Sequence, residues 1–391
     1  MIQTIKQLAR TLAPEFIGIR RHLHAHPELS FHETATSAFI RGQLDAWGIS
    51  FRAPVADTGI VALIRGKNPG KKTIALRADM DALPIEEANE VPYRSLNPGI
   101  MHACGHDVHT TCLLGAARIL QEMRDQWEGT VKLIFQPGEE KHPGGASLMI
   151  KDGALEDPRP DAILGLHVLP EMETGLLGFH SGMYMASADE LYFTIRGKGG
   201  HAAAPHLTVD TILVASHLVV SLQQIISRNC NPLSPSVLSV CAFNGGHTTN
   251  VIPSEVKLMG TFRAMDEAWR FRAHELIRRQ AAELARAMGA EIDIDILVGY
   301  PCVYNNEEVT ARAQALSGEY MGGSNITETP KRMGAEDFAF YSQEIPACFF
   351  RLGTGNKARG ISSGVHTPTF DIDESAIEIG MGAMAWLAAQ W

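Results

Sequence analysis

The chain has 391 residues, of which 45% are hydrophobic and 20% charged, and its 34 Lys and Arg against 44 Asp and Glu give a formal net charge of −10. This composition is that of a globular protein of two or three domains, and it excludes a disordered chain and a small disulfide scaffold. An acidic chain without a Lys/Arg run lacks the positive field that nucleic acids and anionic membranes need. We therefore expect a small-molecule partner, with no nucleic acid and no membrane.

The amino-terminal segment and the cysteines indicate a cytoplasmic location. Residues 1–10 read as the start of an amphipathic helix, and no apolar run approaches the roughly 20 residues that a bilayer-spanning helix needs. The six cysteines are scattered without the spacing of a disulfide framework. We expect free thiols in a reducing compartment, one or two of which could serve as ligands or in catalysis.

In chain order, the first half of the sequence alternates helices and strands. Apolar spacing predicts helices over 2–25 and near 33–47, strands over 59–64 and 73–78, a helix after 109, and strands over 131–135 and 162–168. Such alternation favours an α/β fold with a mainly parallel sheet that is flanked by helices.

From about residue 187 the pattern changes to that of an α+β unit. It predicts strands over 191–196, 237–243, 255–263 and 291–297 and helices over 209–228 and 266–288. We interpret 187–298 as an inserted domain that separates the two parts of a catalytic domain, 1–186 and 299–391. After Tyr300 the pattern predicts loops, short strands and a last helix near 374–388.

The densest group of ligand-type side chains lies at residues 101–109. Cys104 and His106 are two residues apart, so in an extended or turning backbone they project to the same side. A thiolate and an imidazole are a common pair of transition-metal ligands. The alternative is a buried thiol and a structural histidine in a helix-capping turn.

Three further segments place ligand-type side chains at predicted strand ends or turns. Glu139 and Glu140 follow a Pro-Gly pair after a strand, His167 ends the run 163–168, and His366 lies in a Gly-Val-His-Thr-Pro turn. In open α/β sheets, functional groups gather at the carboxyl ends of strands. Each segment alone has a plain alternative, a solvated acidic turn or a structural histidine, but their joint occurrence favours a metal site.

A competing histidine cluster lies at the end of the first predicted helix. Of His22, His24 and His26, only His22 and His26 are four residues apart and share a helix face, so at most one metal pair could form. We interpret this segment as a helix-terminus and packing motif.

These segments, with RADMDALPIEE, KGGHAAAPH, NVIP, GTFRA and MGAEDFAFY, resemble the M20 family of metallopeptidases and amidohydrolases. The resemblance runs nearly end to end and is greatest to the aminoacylase-like branch, which includes hippurate and auxin-conjugate hydrolases. It implies one or two divalent ions per subunit, zinc, manganese, cobalt or nickel, and Glu139 as general base. The ligands that it implies are Cys104, His106, Glu140, His167 and His366.

The resemblance also implies roles for residues outside the ligand set. Asp81 would lie near the metal centre and orient a ligand histidine. For Asp79, the alternative to a role at the site is a strand-end cap. The inserted domain would be a lid and dimerisation domain that makes a homodimer or higher oligomer, and its His201 would stabilise the oxyanion in a neighbouring subunit. Asn250, Arg263 and His206 would contact substrate, although Arg263 could also be a surface ion-pair partner, and Glu336 is indicated by the family match alone.

The function that follows is metal-dependent hydrolysis of an N-acyl or N-aroyl amino acid to a carboxylic acid and an amino acid. The alternatives are a dipeptidase or carboxypeptidase on the same scaffold, a non-catalytic metal-binding relative, and a thiol hydrolase with Cys104 as nucleophile. Two departures from the family pattern, Val108 and the segment 207–211, involve no predicted ligand but weaken any transfer of substrate preference.

Overall fold

The computed structural model describes all 391 residues. The α-helices are α1 (Ile2–Ala25), α2 (Thr34–Ala46), α3 (His106–Glu122), α4 (Gly145–Lys151), α5 (Thr211–Gln224), α6 (Glu267–Ala287), α7 (Glu307–Met321), α8 (Ala339–Glu344) and α9 (Ser375–Gln390). The strands are β1 (Ser50–Val55), β2 (Gly59–Arg65), β3 (Thr73–Asp79), β4 (Thr130–Gln136), β5 (Ala162–Glu173), β6 (Leu177–Phe179), β7 (Gly182–Met185), β8 (Asp189–Arg196), β9 (Gly200–His201), β10 (Ser236–Asn244), β11 (Val251–Ile252), β12 (Glu255–Ala264), β13 (Glu291–Val298), β14 (Val303–Asn305), β15 (Ile326–Glu328) and β16 (Ala347–Gly355). None of the helices combines the length and the apolar composition that crossing a bilayer requires.

By its internal contacts the chain divides into two compact units, of which the first comprises Met1–Gly182, Tyr304–Pro330 and Asp337–Trp391. It contains an eight-stranded sheet in the order β1-β2-β4-β3-β5-β16-β6-β15. The four central strands β4, β3, β5 and β16 run parallel, and antiparallel neighbours join on either side. The predicted α/β fold with a mainly parallel sheet is confirmed.

The centre of this sheet is covered on both faces. Every residue of β3, β4 and β16 is buried, as expected for parallel strands that lie between layers of helices. Helices α1, α3 and α9 pack against one another. Gly115 allows α3 and α9 to approach closely, because an added Cβ would lie 2.6 Å from the Cβ of Met381. The polar strand ends are therefore held on a rigid core.

The structure corrects the sequence-based prediction at two places in this unit. Strand β5 continues past the predicted end at Val168, because β16 pairs along it through Leu169, so His167 lies within a strand rather than at its end. The region after Tyr300, predicted as loops and short strands, contains the helix α7. Its start signal was present, since the side chain of Asn306 accepts a hydrogen bond from the backbone N–H of Val309.

The second unit comprises Met183–Val303 and Lys331–Glu336. Its four-stranded antiparallel sheet has the order β10-β12-β8-β13, and α5 and α6 pack on it around a separate apolar core. Alternate residues of β8 are buried, as in a sheet with one covered face. Strands β9 and β11 form a small antiparallel ribbon. The predicted α+β character of this region is confirmed.

A buried ion cluster stabilises the second unit. Both oxygens of Asp189 are hydrogen-bonded: Oδ1 accepts from Arg270 (2.5 Å) and the backbone N–H of Gly299 (3.0 Å), and Oδ2 from Arg270 (2.9 Å) and His274 (2.8 Å). Burial opposes ionisation, but these hydrogen bonds lower the pKa of Asp189 below its ordinary value. Each oxygen of the Asp189 carboxylate therefore has hydrogen-bond donors.

Candidate metal centre and active site

The turn that opens α3 brings Cys104 and His106 together. Gly105, between them, has a φ of +83°, and an added Cβ would lie 2.5 Å from a methyl group of Val168, so this tight turn requires glycine. Both side chains are buried. The sulfur of Cys104 lies 3.6 Å from Nε2 of His167, and one ligand atom from each of Cys104, His106 and His167 falls within 4.8 Å of the others.

The turn after β4 adds two carboxylates. Oε1 of Glu140 lies 3.9 Å from Nε2 of His106. Glu139 is 7% exposed, and it forms a group with His106 and Glu140 in which the ligand atoms lie within 4.8 Å of one another. The two adjacent glutamates thus both reach the histidine that opens α3.

His366 completes the group from a loop near the end of the chain. It has a φ of +60°, and its backbone N–H donates to the carbonyl oxygen of Ala103 at 2.7 Å, which fixes the loop beside the Cys104 turn. Its Nε2 lies 3.0 Å from Oε1 of Glu140, and its side chain is 51% exposed. The five predicted ligands therefore converge: Cys104, His106 and His167 are buried, Glu140 is partly buried, and His366 is exposed.

Hydrogen bonds orient the rings of the two buried histidines that are predicted as ligands. Nδ1–H of His167 donates to the carbonyl oxygen of Val168 at 2.7 Å, and Nδ1–H of His106 donates to Oδ1 of Asp81 at 3.1 Å. Each ring therefore turns Nε2 toward the cluster, which is the nitrogen that a metal-binding histidine offers once it has lost its proton. Nε2 of His106 is buried without a hydrogen-bond partner.

Asp81 contacts two predicted ligands at once. Besides the bond to His106, its Oδ2 accepts from Ser30 Oγ at 2.7 Å and from the backbone N–H of Glu140 at 3.0 Å. Burial would raise the pKa of Asp81, but these hydrogen bonds and the proximity of His106 lower it. An ionised Asp81 therefore holds the imidazole and the Glu140 backbone in one arrangement.

His109 belongs to the same buried network, although the sequence analysis assigned it no role. Its Nε2 accepts from the backbone N–H of Val168 at 2.9 Å, and its Nδ1–H donates to Asp79 at 2.6 Å. Asp79 also pairs with Arg77 at 2.5 Å, and despite burial this cation keeps the pKa of Asp79 well below its ordinary value. The signal available in the sequence was the spacing of three residues from His106 along α3.

The donor set fits a divalent transition metal. It combines one thiol sulfur, imidazole nitrogens and carboxylate oxygens, the ligand types that zinc and its neighbours take in proteins. Burial alone would lower the pKa of His106, but Asp79, Asp81 and Cys104 raise it well above the ordinary value. Hydrogen bonds with Cys104 and Glu140 raise the pKa of His366 to about 10. The cluster thus attracts positive charge, which a metal cation would satisfy in place of protons.

A second buried network lies behind α3. Asp107 accepts from Arg20 at 2.8 Å and from His24 at 2.8 Å, and the other ring nitrogen of His24 lies 3.2 Å from Glu87. Arg20 also pairs with Asp371 at 3.2 Å. The network therefore joins α1, α3 and the loop that follows His366. Its members are far apart along the chain, so no local sequence pattern predicts it.

The histidine segment at the end of α1 forms no cluster of three ligand atoms. The rings of His22 and His26 lie with centroids 4.5 Å apart and planes tilted by 37°, and Nδ1 of His26 hydrogen-bonds the carbonyl oxygen of His22 at 2.7 Å. His24 faces the opposite way, into the core. This arrangement agrees with a packing and helix-terminus motif.

The predicted substrate residues of the inserted domain lie on the surface of the second unit. His201 pairs with Val251 in the β9–β11 ribbon, and the backbone N–H of Ala202 donates to the carbonyl oxygen of Asn250 at 3.0 Å. His201, Asn250 and His206 have exposed side chains, and a guanidinium nitrogen of Arg263 lies 3.4 Å from the carbonyl oxygen of Met333. The structure brings His201 and Asn250 together, and Glu336 is buried.

A small cavity lies beside Glu140 in the first unit. It has a volume of about 280 Å³, and four of its eight lining residues are apolar. The lining residues are Leu29, Ser30, His32, Ala82, Leu83, Pro84, Glu140 and Lys141. A small group of mixed character can therefore bind next to the ligand cluster.

Comparison with known proteins gives a consistent result. Residues 75–390 match the model of peptidase family M20/M25/M40. The chain is 42% identical over 367 residues to the N-acetyl-L-cysteine deacetylase of Bacillus subtilis, covering 94% of this chain and 86% of that protein. It is 40% identical over 382 residues to the Arabidopsis thaliana IAA-amino acid hydrolase ILR1-like 4, covering 96% and 85%.

Two further matches extend the range of activities and supply a solved structure. The thermostable carboxypeptidase 2 of Saccharolobus solfataricus is 36% identical over 394 residues, covering 100% of this chain and 99% of that protein. The crystal structure of the Bacillus subtilis YXEP protein, described as a dinuclear metal-binding peptidase, superposes with a TM-score of 0.84 at 33% identity. That match covers 97% of this chain and 98% of the other.

Proposed function

The chain belongs to peptidase family M20/M25/M40, and we propose that it hydrolyses the amide bond of N-acyl or N-aroyl amino acids. It is a metal-dependent hydrolase of amide or peptide bonds, as its relatives and its fold show. The observation that carries the proposal is that three groups of ligand atoms share members: Cys104, His106 and His167; His106, Glu139 and Glu140; and Cys104, Glu140 and His366. Nε2 of His106, which belongs to two of these groups, is buried without a hydrogen-bond partner.

The proposed ligands of the one or two ions are Cys104, His106, Glu140, His167 and His366. A divalent cation at this place would act as a Lewis acid toward the scissile carbonyl and would acidify a water molecule. Asp81 keeps His106 in the tautomer that presents Nε2. The identity of the metal, zinc, manganese, cobalt or nickel, belongs to the proposal.

Glu139 is the proposed general base. It accepts a proton from the water that attacks the carbonyl carbon, and it returns that proton to the amine nitrogen as the carbon–nitrogen bond breaks. The backbone N–H of Asp337 lies 3.4 Å from Oε1 of Glu139 and helps to orient the carboxylate. The products are a carboxylic acid and a free amino acid.

The size of the cavity beside Glu140 supports a substrate with a small acyl group, which would bind there. Its lining by Leu29, Ala82 and Leu83 favours an apolar acyl or aroyl group, while Ser30 and His32 offer polar contacts at one side. Asn250, Arg263 and His206 are the proposed partners of the amino-acid part. The relatives that act on N-acetyl-L-cysteine and on an auxin–amino acid conjugate support this substrate class.

The second unit is the proposed lid and dimerisation domain. Helix α5 exposes Leu213 and Val220, the latter to 73%, an apolar surface that a second subunit would cover. Exposed His201 would donate to the oxyanion in the neighbouring subunit's active site. Light scattering should therefore give the mass of a homodimer or higher oligomer, and a Val220→Glu variant should shift it to the monomer.

The experiment that tests the function couples metal analysis to a panel of substrates. The panel holds hippurate, N-acetyl amino acids, aminobenzoyl-glutamate and dipeptides, assayed after reconstitution with zinc, manganese, cobalt or nickel. Hydrolysis of the N-acylated compounds supports the proposal. A protein that binds no metal and cleaves none of them would refute it.

A carboxypeptidase or dipeptidase is the second candidate, because one relative is a carboxypeptidase. A dipeptidase requires the free α-amino group that hippurate lacks, so a preference for Gly-Phe over N-acetyl-Phe would favour it. The thiol-hydrolase alternative is disfavoured, since burial and Glu140 raise the pKa of Cys104 whereas a thiol nucleophile needs a lowered one. Retention of activity after chelation would restore that alternative.

A further inference from the structure

The turn Pro137–Glu140 sets the direction of two functional carboxylates at once. It follows β4, and Gly138 within it has a φ of +59°. Because the proposed base Glu139 and the proposed ligand Glu140 come next along the chain, a small rotation at Gly138 would displace both. What holds the Gly138 peptide therefore decides the geometry of the site.

The carbonyl oxygen of Gly138 is hydrogen-bonded within its own segment, whereas its N–H group is hydrogen-bonded by a distant residue. The carbonyl oxygen of Gly138 accepts from the backbone N–H of Gly145 at 3.0 Å. The N–H of Gly138 donates to Oε1 of Glu33 at 2.8 Å, a contact across 105 positions of the sequence. Glu33 thus supplies the long-range restraint on the turn.

Glu33 is itself held in one orientation. Its side chain is fully buried, Oε1 also accepts from the backbone N–H of Phe31 at 2.9 Å, and Oε2 accepts from Thr58 Oγ1 at 2.8 Å. Its carboxylate therefore joins three segments: the loop before α2, the start of β2 and the turn after β4. It belongs to none of the groups of ligand atoms that could hold a metal ion.

The ring of Phe31 restrains the turn from the same side. A Cβ added at Gly138 would lie 2.3 Å from a ring carbon of Phe31. The loop that carries Phe31 and Glu33 thus contacts Gly138 both by packing and by a hydrogen bond. These two independent contacts from one loop both restrain the turn.

The cost of ionising the buried Glu33 carboxylate argues against a role in stability alone. Burial and the nearby charge of Asp81 raise the pKa of Glu33 to about 7, so an ionised carboxylate is unfavourable at this place. A neutral side chain would be the better choice for the fold by itself. The carboxyl group is better explained by its ability to accept from two backbone N–H groups and a hydroxyl at once.

We propose that Glu33 is a positioning residue for hydrolysis, which holds the Gly138 turn so that Glu139 and Glu140 keep their orientation toward His106. This inference rests on the proposed function for its catalytic consequence. Its structural consequence, restraint of the turn, is measurable without substrate.

The test compares Glu33→Ala and Glu33→Gln with Leu44→Ala, a control that removes buried packing from α2 and deletes no hydrogen-bonding group. Glu33→Ala should lower kcat by about 10- to 100-fold with KM changed by less than about threefold, the loss typical of groups that orient active-site residues. Glu33→Gln keeps an acceptor oxygen, and Thr58 Oγ1 can accept from the new amide, so kcat should stay within about threefold of wild type. Leu44→Ala should lower Tm and leave kcat unchanged.

Hydrogen–deuterium exchange of the peptide covering 136–145 provides the readout that needs no activity. Exchange should be faster in Glu33→Ala than in wild type, and unchanged in Glu33→Gln and Leu44→Ala. Calorimetric titration with zinc or manganese should show weaker binding by Glu33→Ala alone, because Glu140 lies on the same turn.

Three results would overturn the proposal: unchanged exchange at 136–145 in Glu33→Ala, an equal loss of kcat in Leu44→Ala, or a Glu33→Gln variant as impaired as Glu33→Ala. If Glu33→Ala does not fold, Thr58→Val replaces it, since it removes only the hydroxyl that holds Oε2 and should give a smaller change of the same kind. If wild type binds metal but cleaves no substrate, the proposed function fails, while exchange and metal affinity still decide whether Glu33 restrains the turn.

Discussion

The two units of the molecule bury charge in opposite ways. In the second unit both oxygens of Asp189 are hydrogen-bonded by Arg270, His274 and a backbone N–H, so the carboxylate is fully satisfied. In the first unit, carboxylates and a thiol surround His106, whose Nε2 is buried without a partner. A cluster whose polar groups are all hydrogen-bonded stabilises a fold. A cluster that raises histidine pKa values and leaves a ligand nitrogen without a partner is suited to bind a cation.

The same contrast extends to the residues proposed to act on substrate. Those of the first unit are mostly buried, while His201 and Asn250 of the second unit are exposed and make few side-chain contacts. Loss of a side chain in the first unit should therefore affect metal binding, stability and activity together. In the second unit activity should change while stability does not.

Metal removal should have the largest effect. Chelation should abolish hydrolysis, and adding back zinc or manganese should restore it. Because a ligand that binds only the folded state stabilises it by RT ln(1 + [L]/Kd), saturating metal at 1,000 times Kd should add about 4 kcal/mol to the free energy of unfolding. Hydrogen exchange should speed up around α3 and the 136–140 turn and stay unchanged in β8 and β12. Equal changes in both units would contradict the contrast.

Replacement of the proposed base should have the next largest effect. Glu139→Gln keeps the size of the side chain but cannot accept the proton, so kcat should fall by about 10²- to 10⁴-fold. Metal content should remain that of wild type. The matched variant Glu140→Gln, one residue further along, should instead lose metal. Full activity of Glu139→Gln, or metal loss equal to that of Glu140→Gln, would show that the two roles are assigned wrongly.

His201→Ala should separate activity from stability in the second unit. Loss of one oxyanion donor typically lowers kcat by about 10²- to 10³-fold. Since the His201 side chain is exposed, Tm should not change. Arg286→Ala, at the exposed end of α6, serves as a control and should leave both quantities unchanged. A His201→Ala variant with wild-type kcat would remove this residue from the mechanism.

The sequence predicts most readily the parts of the proposed site that are local or that follow a strand. Cys104 and His106 are separated by one glycine, and the two glutamates follow a strand after a Pro-Gly pair, so their joint occurrence favoured a shared metal site. The role of each residue was predicted from the resemblance to the family. The α/β alternation likewise follows from short apolar runs with turn signals between them. These features depend on few residues, and nearby residues fix their geometry.

The residues that the sequence analysis missed act through contacts between distant segments. Glu33 meets Gly138 across 105 positions, and His24 meets Asp107 across 83. A single glutamate before a helix looks like any exposed acidic residue until the fold shows its burial. The helix α7 was missed for another reason, because its capping signal at Asn306 precedes a face with few large apolar residues.

The smallest expected effect is a pH dependence of stability that has opposite signs in the two units. The pKa of Glu33 is raised from 4.5 to about 7 in the folded protein, so between these values the folded state binds the proton more tightly than the unfolded state. Its contribution is therefore fully present below about pH 4.5 and is lost as pH rises toward 7. Asp189 has a lowered pKa, so its contribution is present above pH 3.8 and is lost as pH falls through the folded-state value.

Urea unfolding of metal-free wild type and Glu33→Gln at pH 5, 6 and 7 isolates the first of these contributions, because the metal ligands titrate alike in both proteins. Since one pKa unit corresponds to about 1.4 kcal/mol, the variant should gain about 2 kcal/mol relative to wild type between pH 5 and 7. Asp189→Asn should show no such gain in this range, since its carboxylate is ionised throughout. A constant difference between wild type and Glu33→Gln would mean that Glu33 is ionised in the folded protein across the whole range, held so by the N–H groups of Gly138 and Phe31.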